Sequence, residues 1–319
     1  MSPRRSPVGH VLITEDLHVP TELVRFRPNT KYEPGLWQDR GALLQAAAGC
    51  IGIVVRNRTA VDRQLLEAAP TLQVIGRLGA GMDNLDVDAL LSHGIPVVHG
   101  GGLNARSVAE FVVGVAIALA HGIIRADREV HRGLWVRRPG IQLQHKIMGL
   151  VGLGRIGNET ARLARGLGMK VVAYDPYVNR AAGRVQLVRL SELLAMSDVV
   201  SVHVPLTVET RHLIGRAELA SLHDGAVIIN VSRGPVLDEA ALLEELRAGR
   251  LAGAALDVRD VEGPTENDEF WELDNVLLTP HVAGLTVDSQ LVTARSVLRD
   301  VYRVLAGLAP RGPVLGLKS

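Results

Sequence analysis

Residues 146–157 read KIMGLVGLGRIG. An apolar run ending at Val151 leads into a glycine-rich turn, and the chain continues as RIGNETARLARGLG, with helical spacing. This is a GxGxxG in the setting that gives the pattern a mechanism, a strand before it and a helix after it. Gly152 permits the tight turn, Gly154 lets backbone approach a pyrophosphate, and Gly157 lets helix and strand pack closely. The helix N-terminus, beginning at Arg155 and Ile156, turns free N–H groups and partial positive charge toward phosphates. The next strand, KVVAYD, ends in Asp175, 18 residues beyond Gly157. A carboxylate there accepts hydrogen bonds from both ribose hydroxyls and repels a 2′-phosphate, which favours NAD over NADP.

The same alternation extends in both directions. Downstream, DVVSVHV, AVIINVS, LAGAALDV and NVLLTP read as strands with helical segments among them. Upstream, HVLIT at 10–14, IGIVV at 51–55, LQVIGR at 72–77 and IPVVH at 95–99 alternate with helical patterns. Two such βα series predict parallel sheets covered by helices. Between them, residues 104–130 read as one long helical stretch whose middle is apolar all round, and so buried, between domains or between subunits. After HVAGLT the chain is helical again through 288–308.

The chain has 319 residues, long for one core, so two domains are expected. A net charge of +1 with scattered basic residues argues against a nucleic-acid partner. The single cysteine, Cys50, excludes an intrachain disulfide and a cysteine-built zinc cluster; no metal is expected, and a reducing cytoplasm suits the chain. The start, MSPRRSPVGH, is basic but lacks a signal peptide's apolar stretch. FVVGVAIALA, 111–120, is too short to span a bilayer, so no membrane association is expected.

Polar residues at strand ends carry the chemistry. Arg233 follows AVIINVS, Asp257 lies near the end of LAGAALDV with Glu262 five residues on, and His281 follows NVLLTP. Ligands of open α/β sheets bind outside the carboxyl ends of strands, where these residues sit. A histidine oriented by a carboxylate is a general acid–base unit, and an arginine fork matches a carboxylate. Spacing alone leaves structural readings open for all three: a packed histidine, a solvated glutamate, an arginine bracing a turn. Arg56 and Arg58, in VVRNRT behind the CIGIVV run, pose the same choice between a solvated loop and a pocket for an anion.

GLVGLGRIG, SVHVPLT, INVSRGPVLDEAAL, LAGAALDV and NVLLTPHVAG, with GRLGAGMDNLD and NARSVAE upstream, resemble the D-isomer-specific 2-hydroxyacid dehydrogenase family in order and spacing. The resemblance covers nearly the whole chain. It implies two Rossmann-like, doubly wound parallel-sheet α/β domains, with the NAD-binding domain (104–287) inserted into a substrate domain (1–103 and 288–319). It implies that Arg233 anchors the substrate, that Glu262 pairs with the catalytic histidine, and that His281 is that histidine. Gly152, Gly154, Arg155, Ile156, Gly157 and Asp175 match contacts to the pyrophosphate and ribose. Thr207, Val231, Ser232, Asp257 and Gly284 match positions around the rest of the NAD. Ala80 and Gly81 match the loop whose amides hold the substrate carboxylate. One departure is DVRDVEGP, where the family often has an aromatic residue at the position of Arg259 and a proline at that of Gly263.

The implied reaction is reversible hydride transfer between NAD and a small anionic 2-hydroxy or 2-keto acid, by a homodimer joined through its nucleotide domains. VRNRT resembles the segment of bacterial D-3-phosphoglycerate dehydrogenases whose arginines face the phosphate. Arg56 and Arg58 then suggest a second anionic group, as in 3-phosphoglycerate or sulfolactate. Hydroxypyruvate or glyoxylate reduction is the alternative activity, and a non-catalytic NADH-sensing protein the alternative class. The chain ends at GPVLGLKS, so feedback through an appended domain is not expected.

Overall fold

The computed structural model describes residues 9–181, 183–263 and 265–316. Most of the basic start, read above for a signal peptide, lies outside them, as do the last three residues. The chain divides into two compact units: Met1–Asn104 with Thr286–Ser319 (unit 1), and Ala105–Leu285 (unit 2).

Unit 1 begins with β1 (His10–Ile13), β2 (Thr30–Tyr32), α1 (Arg40–Ala47), β3 (Cys50–Val55), α2 (Arg63–Ala68), β4 (Val74–Arg77), α3 (Val87–Ser92) and β5 (Val97–His99). Unit 2 follows with α4 (Ala105–Ala120), α5 (Ile123–His131), β6 (Ile147–Val151), α6 (Arg155–Gly166), β7 (Lys170–Tyr174), β8 (Val185–Leu187), α7 (Leu190–Met196), β9 (Val199–Val202), α8 (Arg216–Ser221), β10 (Val227–Asn230), α9 (Glu239–Arg247), β11 (Gly253–Leu256) and β12 (Val276–Leu278). The chain then returns to unit 1 as α10 (Val287–Leu305) and β13 (Val314–Leu315).

The unit 1 sheet has the order β13-β5-β4-β3-β1-β2, parallel except for β13. The unit 2 sheet has the order β12-β11-β10-β9-β6-β7-β8 and is parallel throughout. Each is doubly wound: the order reverses between β1 and β3 in unit 1, and between β6 and β9 in unit 2. Successive residues of the central strands feed opposite faces, as strand geometry requires. Leu150 and Val151 of β6 fall in different core clusters, as do Ile53 and Val54 of β3. This explains the unbroken apolar runs: a strand covered on both faces has no polar side.

One expectation is corrected. The stretch read as one helix is two, α4 and α5, which meet at 62°. Gly122 between them takes φ 63°, a left-handed conformation that ends α4. Within unit 2 one face of α4 is buried and the other is partly exposed. Val108, Val112, Val115 and Ala116 line the core, whereas Phe111, Val113 and Ile117 are half-exposed. Three short strands, β2, β8 and β13, were not legible in the sequence. Among the described residues no single helix is long and apolar enough to cross a membrane.

Cys50 opens β3 and is wholly buried, with Sγ 3.3 Å from the Ala46 carbonyl oxygen. Burial pushes its thiol up to about 12. At pH 8 the folded protein should therefore resist an aromatic disulfide reagent, and the thiol should react stoichiometrically only in denaturant. Rapid labelling of folded protein would contradict this environment.

Candidate active site

In unit 2 the glycine turn sits between β6 and α6, at the reversal point of the sheet. Gly152 has φ 101°, and a Cβ there would lie 3.0 Å from the His203 carbonyl carbon. A Cβ on Gly157 would lie 2.3 Å from the Gly152 oxygen, so any side chain would push α6 off the strand. Gly154 is the N-cap of α6, with open space where a Cβ would be and no side chain capping the helix. Asn158 braces the turn from within the helix, donating to the Leu153 and Gly154 oxygens at 2.7 and 2.9 Å. A stiff turn with an open, uncapped helix end fits a dinucleotide pyrophosphate. Arg155 is exposed and Ile156 half-buried on the first turn of the helix.

Asp175, just past β7, accepts from the Leu153 and Tyr177 backbone N–H groups, each at 2.9 Å. Its carboxylate is thereby pinned beside the glycine turn. Thr207, in the exposed loop after β9, interlocks with Thr210: its N–H donates to Thr210 Oγ1 at 2.7 Å. His203, also after β9, was read only as part of a motif. Its two ring nitrogens are buried, without a hydrogen-bond partner among the described residues. Burial holds its pKa down at about 3, so the ring is neutral.

At the same edge of this parallel sheet, the loops after β10, β11 and β12 carry the candidate acid–base residues. His281 Nδ1 lies 2.9 Å from Glu262 Oε1 and 3.1 Å from Oε2. Its Nε2 makes no hydrogen bond among the described residues and is available to a substrate. The His281 backbone is left-handed, φ 57°, a conformation that a non-glycine residue keeps only when its surroundings fix it. Asp257 does the fixing. It is 2% exposed, and its carboxylate accepts from Thr279 Oγ1 (2.6 Å), Val282 N (2.8 Å) and Ala283 N (2.9 Å). The His281 N–H donates to the Asp257 carbonyl at 2.8 Å. Asp257 thus braces the histidine loop, a role its motif position did not suggest. Gly284 follows in the same loop, half-buried.

Arg233 follows β10 after the buried Val231 and Ser232. Its turn is held by Asn230, whose amide donates to the Arg233 carbonyl at 3.0 Å and whose Oδ1 accepts from Ser232 N and Oγ. Gly234 lies against the loop of Glu262: a Cβ there would sit 2.0 Å from the Arg259 carbonyl carbon. Arg259 itself makes a clamp. Its guanidinium reaches Glu239 at 3.0 Å and Asp268 at 2.5 Å and lies 4.8 Å over the Phe270 ring. Burial alone would push the Asp268 carboxyl up; the Arg259 hydrogen bond holds it below the usual range. Where the family often has an aromatic residue, this chain has a charged clamp seated on one.

In unit 1, Arg56 and Arg58 follow β3, beside the reversal point between β1 and β3. Glu15, 2% exposed at the end of β1, accepts from the N–H groups of Arg56 (2.8 Å), Thr59 (2.9 Å) and Arg58 (3.1 Å). The Asn84 amide donates to the Arg56 and Thr59 carbonyls, tying in the loop after β4 that holds the exposed Ala80 and half-buried Gly81. The Arg56 guanidinium donates to Gln290 on α10 at 2.5 Å. Burial works against its charge, and Glu15 and Asp16 offset that. Arg58 is exposed and lies 4.6 Å over the Trp37 ring. Glu15, Asn84, Asn158, Asn230 and Gln290 escaped the sequence reading. For Glu15 and Asn230 a polar residue at the end of an apolar run, as in ITE and VIIN, was the available signal.

Residues 113–283 match the family described as D-isomer specific 2-hydroxyacid dehydrogenase, NAD binding domain. A D-3-phosphoglycerate dehydrogenase of Archaeoglobus fulgidus is 43% identical over 267 residues, 82% of this chain and 51% of that protein. The chain spans about half the length of such relatives. An (S)-sulfolactate dehydrogenase of Chromohalobacter salexigens is 42% identical over 280 residues, 86% of this chain and 91% of that protein. A D-lactate dehydrogenase from Aquifex aeolicus, solved with NAD and lactic acid, superposes with a TM-score of 0.81 at 28% identity, covering 93% of this chain and 96% of that one.

Replacing Arg259 should expose the clamp's energetic weight. Side-chain exposure is only 14% for Glu239 and 8% for Asp268, so Arg259→Met strands two shielded carboxylates. We expect a loss of about 3 kcal/mol in urea unfolding, partly restored by adding Glu239→Gln. A loss below about 1 kcal/mol would mean that the clamp is decorative.

Proposed function

The chain belongs to the D-isomer specific 2-hydroxyacid dehydrogenase family, and from that premise we propose that it is an NAD-dependent oxidoreductase acting on a D-2-hydroxy acid and its 2-keto form. The observation that carries the reading is the Glu262–His281 pair, seated on a braced loop in the unit that holds the dinucleotide turn. When bound, the cofactor supplies hydride in the reducing direction and accepts it in the other. Protonated His281 gives its Nε2 proton to the oxygen on carbon 2 as negative charge develops there. Glu262 orients the ring through Nδ1 and stabilises the imidazolium. Arg233 anchors the substrate carboxylate with its guanidinium fork, and the Ala80–Gly81 amides are further donors to that carboxylate. Gly152, Gly154, Arg155, Ile156, Gly157 and Asp175 hold the pyrophosphate and ribose. Thr207, Val231, Ser232 and Gly284 lie along the rest of the cofactor, with Asp257 shaping the loop beside it.

We propose further that the substrate carries a second anionic group, phosphate or sulfonate, taken by Arg56 and Arg58. Glu15 and Asn84 preset their loop, which supports a built recognition element. One observation favours the other reading, a monoanionic substrate such as glyoxylate or hydroxypyruvate: Arg58 already rests on Trp37 and Arg56 on Gln290. We place the enzyme in the cytoplasm and assign it a homodimer through unit 2. The half-exposed face of α4 and the exposed Leu134, Trp135 and Ile141 support that dimer.

A panel of 3-phosphohydroxypyruvate, sulfopyruvate, hydroxypyruvate and glyoxylate with NADH tests the activity. His281→Gln should lower kcat by about 10²–10⁴ while leaving NADH binding intact. No turnover of any acid by the wild type, with NADH still bound, would replace the enzyme reading with a sensor. Arg58→Ala should raise KM for the two dianionic acids about 10–100-fold and barely change it for glyoxylate. Equal effects on all four would sink the second-anion assignment.

Light scattering at micromolar concentration should give a dimer, and Trp135→Glu should give monomers; a monomeric wild type would remove the dimer.

A further inference from the structure

A pocket of about 470 Å³ lies on unit 1, along the C-terminal half of α10. Six guanidinium groups ring it: Arg25 and Arg27 from the segment before β2, Arg295, Arg299 and Arg303 from α10, and Arg311 from the chain after it. The three on α10 recur every four residues and so share one face of the helix. Like charges at that spacing destabilise a helix, so helix stability does not account for them. The chain's formal net charge is only +1, so general basicity does not account for them either.

Among the described residues, five of the six charges are not neutralised from within; only Arg299 is paired. Asp300 is the nearby carboxylate, and it is consumed: it is 2% exposed, bonds Arg299 at 2.8 and 2.9 Å, and accepts from Gly312 N at 2.7 Å. Among the described residues no carboxylate lies within ion-pair distance of Arg25, Arg27, Arg295, Arg303 or Arg311. Several of the arginines are preset. Arg295 donates to the Leu23 carbonyl through Nε and Nη2 at 3.0 and 2.9 Å, and Arg303 donates through Nε to the Ala309 carbonyl at 2.7 Å. Arg27 lies 4.8 Å over the Tyr302 ring. Carbonyls and a ring fix these groups without cancelling their charge. Val24, Leu298 and Tyr302, all buried, form the floor.

We propose that this pocket binds a small polyvalent anion bearing phosphate or carboxylate groups. Convergent guanidinium forks suit such groups, each able to take two oxygens. The volume of about 470 Å³ lies in the range of small-molecule sites, which favours a compact ligand. The site is separate from the proposed chemistry and uses none of its residues.

The test is calorimetric titration of the full chain with inorganic pyrophosphate and, in parallel, citrate, each with saturating NADH present to occupy the dinucleotide turn and again without it. The variants are Arg25→Ser with Arg311→Ser, two exposed positions whose replacement should leave the melting temperature unchanged, and separately Arg58→Ala. We expect saturable binding of at least one probe near one per chain. It should be at least tenfold weaker in the Arg25/Arg311 variant and unchanged in Arg58→Ala. The stronger probe identifies the anion class. No saturable binding to the wild type, or equal binding to the Arg25/Arg311 variant, overturns the proposal. Loss in Arg58→Ala alone also overturns it, by placing the anion on the loop after β3. Because the readout is binding, the outcome stands whether or not the protein turns over a keto acid.

Discussion

The Asp257 carboxylate holds the loop on which His281 is carried. A parallel sheet covered on both faces can present polar chemistry only where its strands end. Each strand end is a loop full of unpaired N–H groups, and a loop left to water would not hold a side chain to the tolerance that proton transfer needs. Asp257 removes that freedom by accepting from one hydroxyl and two N–H groups around the histidine, which keeps His281 at φ 57°. Glu15 does the same for the loop of Arg56 and Arg58, and Asn230 for the turn of Arg233. Buried acceptors, one behind each functional loop, are the shared construction of both units.

That construction also explains what could be read in the sequence. The central strands were legible because both faces are buried, leaving unbroken apolar runs such as CIGIVV and IMGLV. Gly152 and Gly157 were legible because backbone lies against each of them. His281 and Glu262 stood out as polar residues at strand ends, although their contact at 2.9 Å needed the fold. Edge strands β2 and β8 were missed because their faces are only partly covered and carry no strong pattern. The break at Gly122 was hidden inside an apolar run that helical spacing fits on either side. The bracing residues were missed for another reason. Glu15 and Asn84 act through backbone atoms far away in sequence, so no local spacing names their partners.

Arg259 illustrates how one such brace can change its chemistry while keeping its task. An aromatic residue at this place would fix the Glu262 loop by packing. Here a guanidinium does so by lying on Phe270 and bridging Glu239 and Asp268. The two solutions differ in their response to solvent: packing is insensitive to ionic strength, whereas a half-shielded ion pair weakens as salt screens it. The close seating of Gly234 on the Arg259 backbone then links the arginine turn to the glutamate loop, so the clamp steadies both at once.

The two arginines behind β3 divide along the same line of argument. Arg56 is half-buried, bonded to Gln290 on a neighbouring helix, and disfavoured by its own burial. Turning it toward a ligand would break a charge-assisted bond worth about 1.5–3 kcal/mol. Arg58 is exposed, and its side chain rests on the Trp37 face, a contact worth about 0.5–1 kcal/mol at such a site. A bidentate bond to a phosphate or sulfonate exceeds the second cost readily and the first only narrowly. If this loop selects the acid, as proposed, the task falls mainly to Arg58, which can leave its resting place cheaply. On that proposal Arg56, held to Gln290, would stay in place as a fixed charge beside it.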